Sequence, residues 1–155
     1  MYVLNNITNK KQTVKITKLN TAEISRINKT KRFDFNWNKE KPFDVYKLTV
    51  MGEDEPIGLL SLQERSEDYA LEIRLLASSK ENVGKSRTYS RIAGCLIAFA
   101  CKEAFKSGFD GFVCLKPKTR LERHYINNYG LRSTKLYLIT ERENSLRLIK
   151  EYYEA

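Results

Sequence analysis

The order of apolar and polar positions along the chain predicts ten elements. In QTVKITKL (12–19), Val14, Ile16 and Leu19 alternate loosely with polar residues, which predicts a strand. NTAEISRINKT (20–30) opens on Asn20 or Thr21 as an N-cap and carries Glu23 in its first turn, which predicts a short helix. KRFDFNWNKEKPF (31–43) has no period and reads as a loop. DVYKLTVMG (44–52), IGLLSLQER (57–65) and YALEIRLLAS (69–78) are rich in apolar and β-branched residues and separated by short polar turns, the pattern of an antiparallel meander. After a loop at 79–89, Ile92, Ala93, Leu96, Ile97, Ala100, Ala104 and Phe105 recur at helical spacing, which predicts a helix over 90–107 with Ser90 as N-cap and Gly108 just past its end. FDGFVCLKP (109–117) reads as a buried strand, TRLERHYINNY (119–129) as a helix ending near Gly130, STKLYLIT (133–140) as one strand and ENSLRLIKEYYE (143–154) as a last helix. The order is β-α-β-β-β-α-β-α-β-α. The strand–loop–helix–strand unit at 69–117 must connect parallel neighbours, because so long a crossover has no use between antiparallel ones. The fold class expected is therefore α/β of the mixed α+β kind: a mostly antiparallel sheet with one parallel pair and helices on both faces.

Composition narrows the class. A chain of 155 residues, 41% hydrophobic and 30% charged, is expected to form a single globular domain over 1–155. Its 28 Lys and Arg against 19 Asp and Glu give a net charge of +9, which suits anionic partners, although the cations are spread along the chain without a dense block. Cys95, Cys101 and Cys114 form no C-x-x-C pair and sit in apolar stretches, so they read as small buried hydrophobes; no metal site and no disulfide is expected, and a cytoplasmic setting fits. The N-terminus MYVLNNITNKK has no apolar core of a signal peptide, and the longest apolar run, Cys95 to Cys101, is too short for a bilayer, so no membrane partner is expected.

Gly84-Lys85-Ser86 looks like the tail of a phosphate-binding P-loop between a strand and a helix. The full pattern G-x-x-x-x-G-K-[ST] needs a glycine at position 79, which is Ser79. A P-loop helix also starts directly after the Lys, whereas Arg87-Thr88-Tyr89-Ser90 intervenes here. GFVCLKPK (111–118) ends in Lys and supplies no Asp for magnesium. The P-loop reading is therefore poor, and the Gly84-Lys85-Ser86 match reads by itself as a coincidence.

The element order over 12–140, with a loop before the central helix, resembles the GNAT superfamily of acyl-CoA-dependent N-acyltransferases. Its pyrophosphate signature [QR]-x-x-G-x-[GA] falls on Tyr89-Ser90-Arg91-Ile92-Ala93-Gly94, with Gly94 matching the last position, Tyr89 replacing Gln or Arg, and Ile92 replacing the first Gly. The resemblance implies acetyl-CoA as co-substrate, held by Lys85, Ser86, Arg87, Ser90, Arg91, Ile92, Ala93 and Gly94, with Lys80 contributing charge. A helix N-terminus is a ready site for such an anion. It also implies a splay of the fourth strand of this order at Leu75, Leu76 and Ala77, where a backbone N–H would hold the thioester carbonyl as an oxyanion hole does. HYINNYGL (124–131) is similar to the family's tyrosine motif with one extra residue before Gly130, so Tyr125 is implied as the general acid for the leaving thiolate, with Tyr129 as fallback. Alternation sets Glu72 and Arg74 opposite Leu71, Ile73 and Leu75; Glu72 is a candidate general base, an ion-pair face is the competing reading, and Glu64 is the alternative. His124 reads as a packing or surface residue.

The expected activity is acetyl transfer to a primary amine, on a small molecule or a protein, by direct attack in a ternary complex. Phe33, Phe35 and Trp37 in RFDFNWNKEKPFDVY (32–46) either line an acceptor pocket or pack on the sheet. The competing expectation is a non-catalytic module on the same scaffold that binds CoA, or nucleic acid through its basic surface. Nucleic acid stays open as a partner without being favoured, and a homodimer is compatible. One strand followed by a helix is expected at the C-terminus, where the family usually has two strands.

Overall fold

Alternation within each strand decides which residues face the core. In the computed structural model, which describes residues 1–117 and 121–153, nine strands and four α-helices form. They are β1 (Tyr2–Asn5), β2 (Lys10–Lys18), α1 (Thr21–Thr30), β3 (Asp44–Val50), β4 (Gly58–Arg65), β5 (Ala70–Ser78), β6 (Tyr89–Ser90), α2 (Ile92–Lys106), β7 (Val113–Leu115), α3 (Glu122–Tyr129), β8 (Arg132–Ser133), β9 (Leu138–Thr140) and α4 (Arg142–Tyr153). Short 3-10 turns lie at Trp37–Glu40, Ser66–Asp68 and Lys80–Asn82. The strand order is β6-β1-β2-β3-β4-β5-β7-β9-β8, with β5 and β7 parallel and the other described pairs antiparallel. This is the mixed, mostly antiparallel sheet that the element order implies. Lys118, Thr119, Arg120, Glu154 and Ala155 lie outside the described residues, among them the first two positions of the expected helix 119–129 and the last of the expected helix 143–154.

The chain divides into two compact units, Met1–Ser61 with Leu75–Leu96, and Leu62–Arg74 with Ile97–Ala155. In the first unit, α1 starts with a capping box: the Glu23 N–H donates to Asn20 Oδ1 at 2.8 Å and the Asn20 N–H donates to Glu23 Oε1 at 3.1 Å. Asn20, and not Thr21, is the cap. Ile24 and Ile27 of α1 bury against Leu19, Phe33, Trp37, Val45, Leu59 and Ala77, with Leu75 packed alongside. Phe33 and Trp37 therefore belong to the core and do not line a pocket; the Trp37 indole N–H donates to the Asp34 carbonyl at 2.8 Å. Phe35 is exposed, at φ 77°. The first turns of α2 cover the other face of the same strands, over Leu48 and Gly58. There a Cβ on Gly58 would stand 2.9 Å from Ile92 Cγ2 and 3.1 Å from Leu96 Cδ1.

In the second unit, Ile97, Ala98, Ala100, Cys101 and Ala104 of α2 are fully buried, so the helix is apolar on nearly every side. Gly108, at φ 81°, ends it as expected. β5 runs parallel to β7 through Leu71–Val113, Glu72–Cys114 and Ile73–Leu115. The stretch expected as one strand, 133–140, instead folds back on itself. Thr134 donates its N–H to the Tyr137 carbonyl at 2.8 Å, and its hydroxyl both donates to that carbonyl and accepts from the Tyr137 N–H. The product is the β8–β9 hairpin, with Arg132 opposite Ile139. Two strands, not one, thus precede the last helix. β1 and β6 are two further strands beyond the predicted order.

Gly58→Val is expected to push the start of α2 off β4 and destabilise the protein by about 1–3 kcal/mol, the usual cost of overpacking. Thermal unfolding should show a midpoint lower by several degrees; an unchanged midpoint would mean that α2 is not seated on β4 at Gly58.

Candidate functional site

The segment between β5 and α2 is a built loop. Buried Ser79 donates its N–H to the Ile57 carbonyl at 2.9 Å, and Lys80 donates its N–H to the Arg32 carbonyl at 2.8 Å. Buried Asn82 closes the loop: its Nδ2 donates to Ser79 Oγ at 2.8 Å, and its Oδ1 accepts the Tyr89 N–H at 2.9 Å. β6 then pairs with β1, Leu4 opposite Ser90 and Asn5 opposite Tyr89. The Asn6 amide donates to the Arg87 carbonyl and to Ser90 Oγ. Gly84, at φ 92°, makes the exposed tip, where its carbonyl accepts from Arg87 Nη1 at 3.3 Å. Gly84-Lys85-Ser86 is that tip, and α2 begins only at Ile92, which removes the P-loop geometry.

Arg91 holds φ 83°, a left-handed conformation that costs a non-glycine residue roughly 1 kcal/mol or more. It is fixed there by its side chain, with Nε donating to the Tyr2 carbonyl at 3.2 Å and the guanidinium 4.0 Å above the Tyr2 ring. Its carbonyl takes the Cys95 N–H at 3.0 Å, so Arg91, and not Ser90, immediately precedes the helix. Ile92, Ala93 and Gly94 form the first turn, whose N–H groups have no partner within a helix. Lys80, Lys85 and Arg87 are exposed, and none of them pairs with a carboxylate among the described residues. The loop thus presents uncompensated positive charge ahead of a helix N-terminus. Leu75, Leu76 and Ala77 lie on β5 beyond Ile73, the last residue with a described β7 partner.

Arg32 ties the start of the loop to its surroundings, donating Nη1 to Glu55 and to the Pro56 carbonyl, each at 2.9 Å, and Nη2 to Glu81. Burial alone raises the Glu81 carboxyl. Hydrogen bonds from Arg32, its own N–H and Ser79, with the Arg32 charge, outweigh that and hold it below the ordinary carboxylate value of 4.5.

In the second unit, Glu72 accepts from Arg65 Nη1 at 2.9 Å. Arg65 also binds Asp68 at 3.1 Å and donates to the Tyr137 hydroxyl at 3.1 Å. The ion-pair reading of Glu72 is thus realised through Oε1, while Oε2 has no partner among the described residues. Glu64 is exposed. Tyr125 is partly buried beside His124 and Tyr129, ring centroids 6.1 Å from each, and burial raises its phenol above the usual tyrosine value. His124 is exposed, and its Nδ1 pairs with the Asn128 amide at 2.9 Å. Burial pushes the Cys95 and Cys101 thiols up to about 12 and Cys114 to about 11, so none of the three is an ionised nucleophile at neutral pH. No group of three or more metal-ligating side chains forms among the described residues. No described helix is long and apolar enough to cross a membrane.

Asn82 and Ser79 as the residues that close the loop, and the pairing of β6 with β1, are not expected from the sequence, where Ser79 enters only as the break in the P-loop pattern. A polar pair at Ser79 and Asn82, spaced for a turn, is the only local signal of the first two.

No family model matches the sequence, and no curated protein matches it. Solved structures do. A protein from Desulfovibrio desulfuricans described as a GNAT-family acetyltransferase superposes with a TM-score of 0.62 at 8% identity, covering 83% of this chain and 99% of that one. An IAA acetyltransferase from Bacillus cereus gives 0.58 at 15% identity, covering 79% of each chain. The PaiA N-acetyltransferase from Thermoplasma acidophilum, solved with coenzyme A, gives 0.53 at 15%, covering 84% of this chain and 98% of that one. At these identities the likeness is one of fold, and the fold is that of the GNAT acetyltransferases.

Two outcomes test the loop. Asn82→Ala should cost about 1–3 kcal/mol and speed hydrogen exchange at the Tyr89 amide, whose acceptor it removes; unchanged exchange there would show that Asn82 does not close the loop. The ionised Glu81 stabilises the fold at and above its unfolded value, and that stability fades as pH falls through the lower folded value. An NMR titration of its carboxyl carbon should give a midpoint below 4.5, rising in Arg32→Ala.

Proposed function

We propose that the chain is an acetyl-CoA-dependent N-acetyltransferase acting on a primary amine by direct attack in a ternary complex. The observation that carries this reading is the loop 79–91. It is closed by Asn82, carries Lys80, Lys85 and Arg87 without acidic partners, and leads into the N-terminus of α2. Those features fit a polyanion, and the structural neighbour from Thermoplasma acidophilum holds coenzyme A. Acetyl-CoA supplies an acetyl group already activated as a thioester. In this reading, Lys85, Ser86, Arg87, Ser90 and the first-turn N–H groups of Ile92, Ala93 and Gly94 hold the pyrophosphate. Arg91 shapes the turn, with its side chain committed to Tyr2.

A backbone N–H of Leu75–Ala77 would polarise the thioester carbonyl and stabilise the developing oxyanion. Tyr125 would give its proton to the departing sulfur; its raised pKa keeps that proton in place at neutral pH. Glu72 would take the amine's proton on Oε2 while Arg65 holds Oε1. The acceptor is a primary amine on a small molecule or a protein.

Thermal unfolding with acetyl-CoA tests the cofactor first. At a hundred times its dissociation constant it should stabilise the protein by about 2.7 kcal/mol, a shift of several degrees that ATP does not reproduce. No shift would remove the cofactor and favour the non-catalytic reading. Once an acceptor is found, Tyr125→Phe should slow transfer about 10²-fold or more without changing cofactor affinity; an unchanged rate would take the acid role from Tyr125.

A further inference from the structure

The outer face of β1–β3 carries a basic surface separate from the loop. Alternation and the described register place Lys11, Thr13, Lys15 and Thr17 of β2 on one face, with Lys15 opposite Thr49 and Thr17 opposite Lys47 on β3. α1 covers that face only from Val45 onward into the sheet, so the four β2 residues stay exposed. Where the face meets α1, a trough of about 340 Å³ is lined by Lys47, Arg26, Ile27, Thr30 and the 54–56 turn. Lys15, Lys47 and Arg26 have no carboxylate partner among the described residues, and Lys11 lies only against the Tyr2 ring, at 4.6 Å. Of the acids bordering the trough, Glu55 is bound to Arg32, which leaves Asp54.

We propose that this face binds the phosphodiester backbone of a single-stranded nucleic acid, without reading its sequence. The charge is complementary, and it is spread as a strand of phosphates requires. Lys11 and Lys15 stand about 13 Å apart along β2, and Lys47 lies one strand over, about 5 Å to the side and two residues further on. Threonine hydroxyls between the cations supply neutral donors for phosphate oxygens. Lys11 and Arg91 both lie against the Tyr2 ring, at 4.6 and 4.0 Å from its centroid, and the proposed contacts fall on the phosphates and not on the bases. The proposal uses no residue of the loop 79–91 beyond that buttress and stands apart from the acetyl-transfer reading.

The test is fluorescence anisotropy of a labelled single-stranded RNA of about twenty nucleotides with the full chain. Four phosphate contacts predict that raising salt from about 50 to about 200 mM weakens binding about fifty-fold. Lys11→Gln with Lys15→Gln and Lys47→Gln together should weaken binding at least tenfold at the lower salt. A control that removes equal charge elsewhere, Lys39→Gln with Lys135→Gln and Lys150→Gln, should stay within about threefold. Lys15→Gln alone, which touches no packed residue, should weaken it a few-fold and serves if the triple variant does not fold. Equal losses in face and control variants would overturn the proposal, as would no binding of the RNA at low salt. Binding of phosphatidylserine vesicles with no binding of RNA would assign the face to a membrane and overturn it too.

Discussion

The buried carboxamide of Asn82 is the contact on which the loop depends. It has one donor on Ser79 Oγ and its acceptor on the Tyr89 N–H, so the two ends of a long excursion close on one side chain. The loop buries almost nothing apolar between them: Val83 is 64% exposed, and Lys85, Ser86 and Arg87 face solvent. Hydrophobic burial therefore cannot hold its shape, and buried polar groups with satisfied partners must. What Asn82 closes, β6 continues. Two residues pair with β1, the Asn6 amide ties down Arg87 and Ser90, and Arg91 is pinned in a left-handed turn by Tyr2. The exposed cations are thus displayed on a fixed backbone, which lowers the ordering cost of binding an anion there.

The same economy of charge explains which carboxylates serve structure. Glu81, Glu55 and Glu72 each answer an arginine, Arg32 for the first two and Arg65 for the third. Among the described residues, Lys80, Lys85 and Arg87 are left without a carboxylate partner, and so are Lys15 and Lys47 on the outer sheet face and Arg26 on α1 beside it. Part of the net charge of +9 thus stands on two local surfaces, although the cations look evenly spread when read along the chain.

Local signals were legible in the sequence. Asn20 and Glu23 spell a capping box, Gly108 ends α2, and the short polar turns of the meander fall where the chain reverses. What could not be read rests on partners distant in the chain. β1 and β6 are too short to show a period, and they pair across more than eighty residues. The β8–β9 hairpin hid inside an apparently continuous strand because Leu136 keeps the apolar rhythm, yet it sits 71% exposed at the turn that Thr134 makes. Phe33 and Trp37 were readable as pocket or core, and burial against α1 settles them as core. At Glu72 the sequence offered a base and an ion pair, and the ion pair forms with Arg65 seven residues earlier across a hairpin.

The central claim is that the closed loop and the start of α2 hold a CoA pyrophosphate while β5 holds its thioester end. Backbone amide chemical shifts and exchange rates, measured with and without coenzyme A, test it most directly. The account predicts changes at the Leu75–Ala77 amides and across Lys85–Gly94, with slowed exchange at Ile92, Ala93 and Gly94. Changes confined to other segments, or none at saturating coenzyme A, would contradict it.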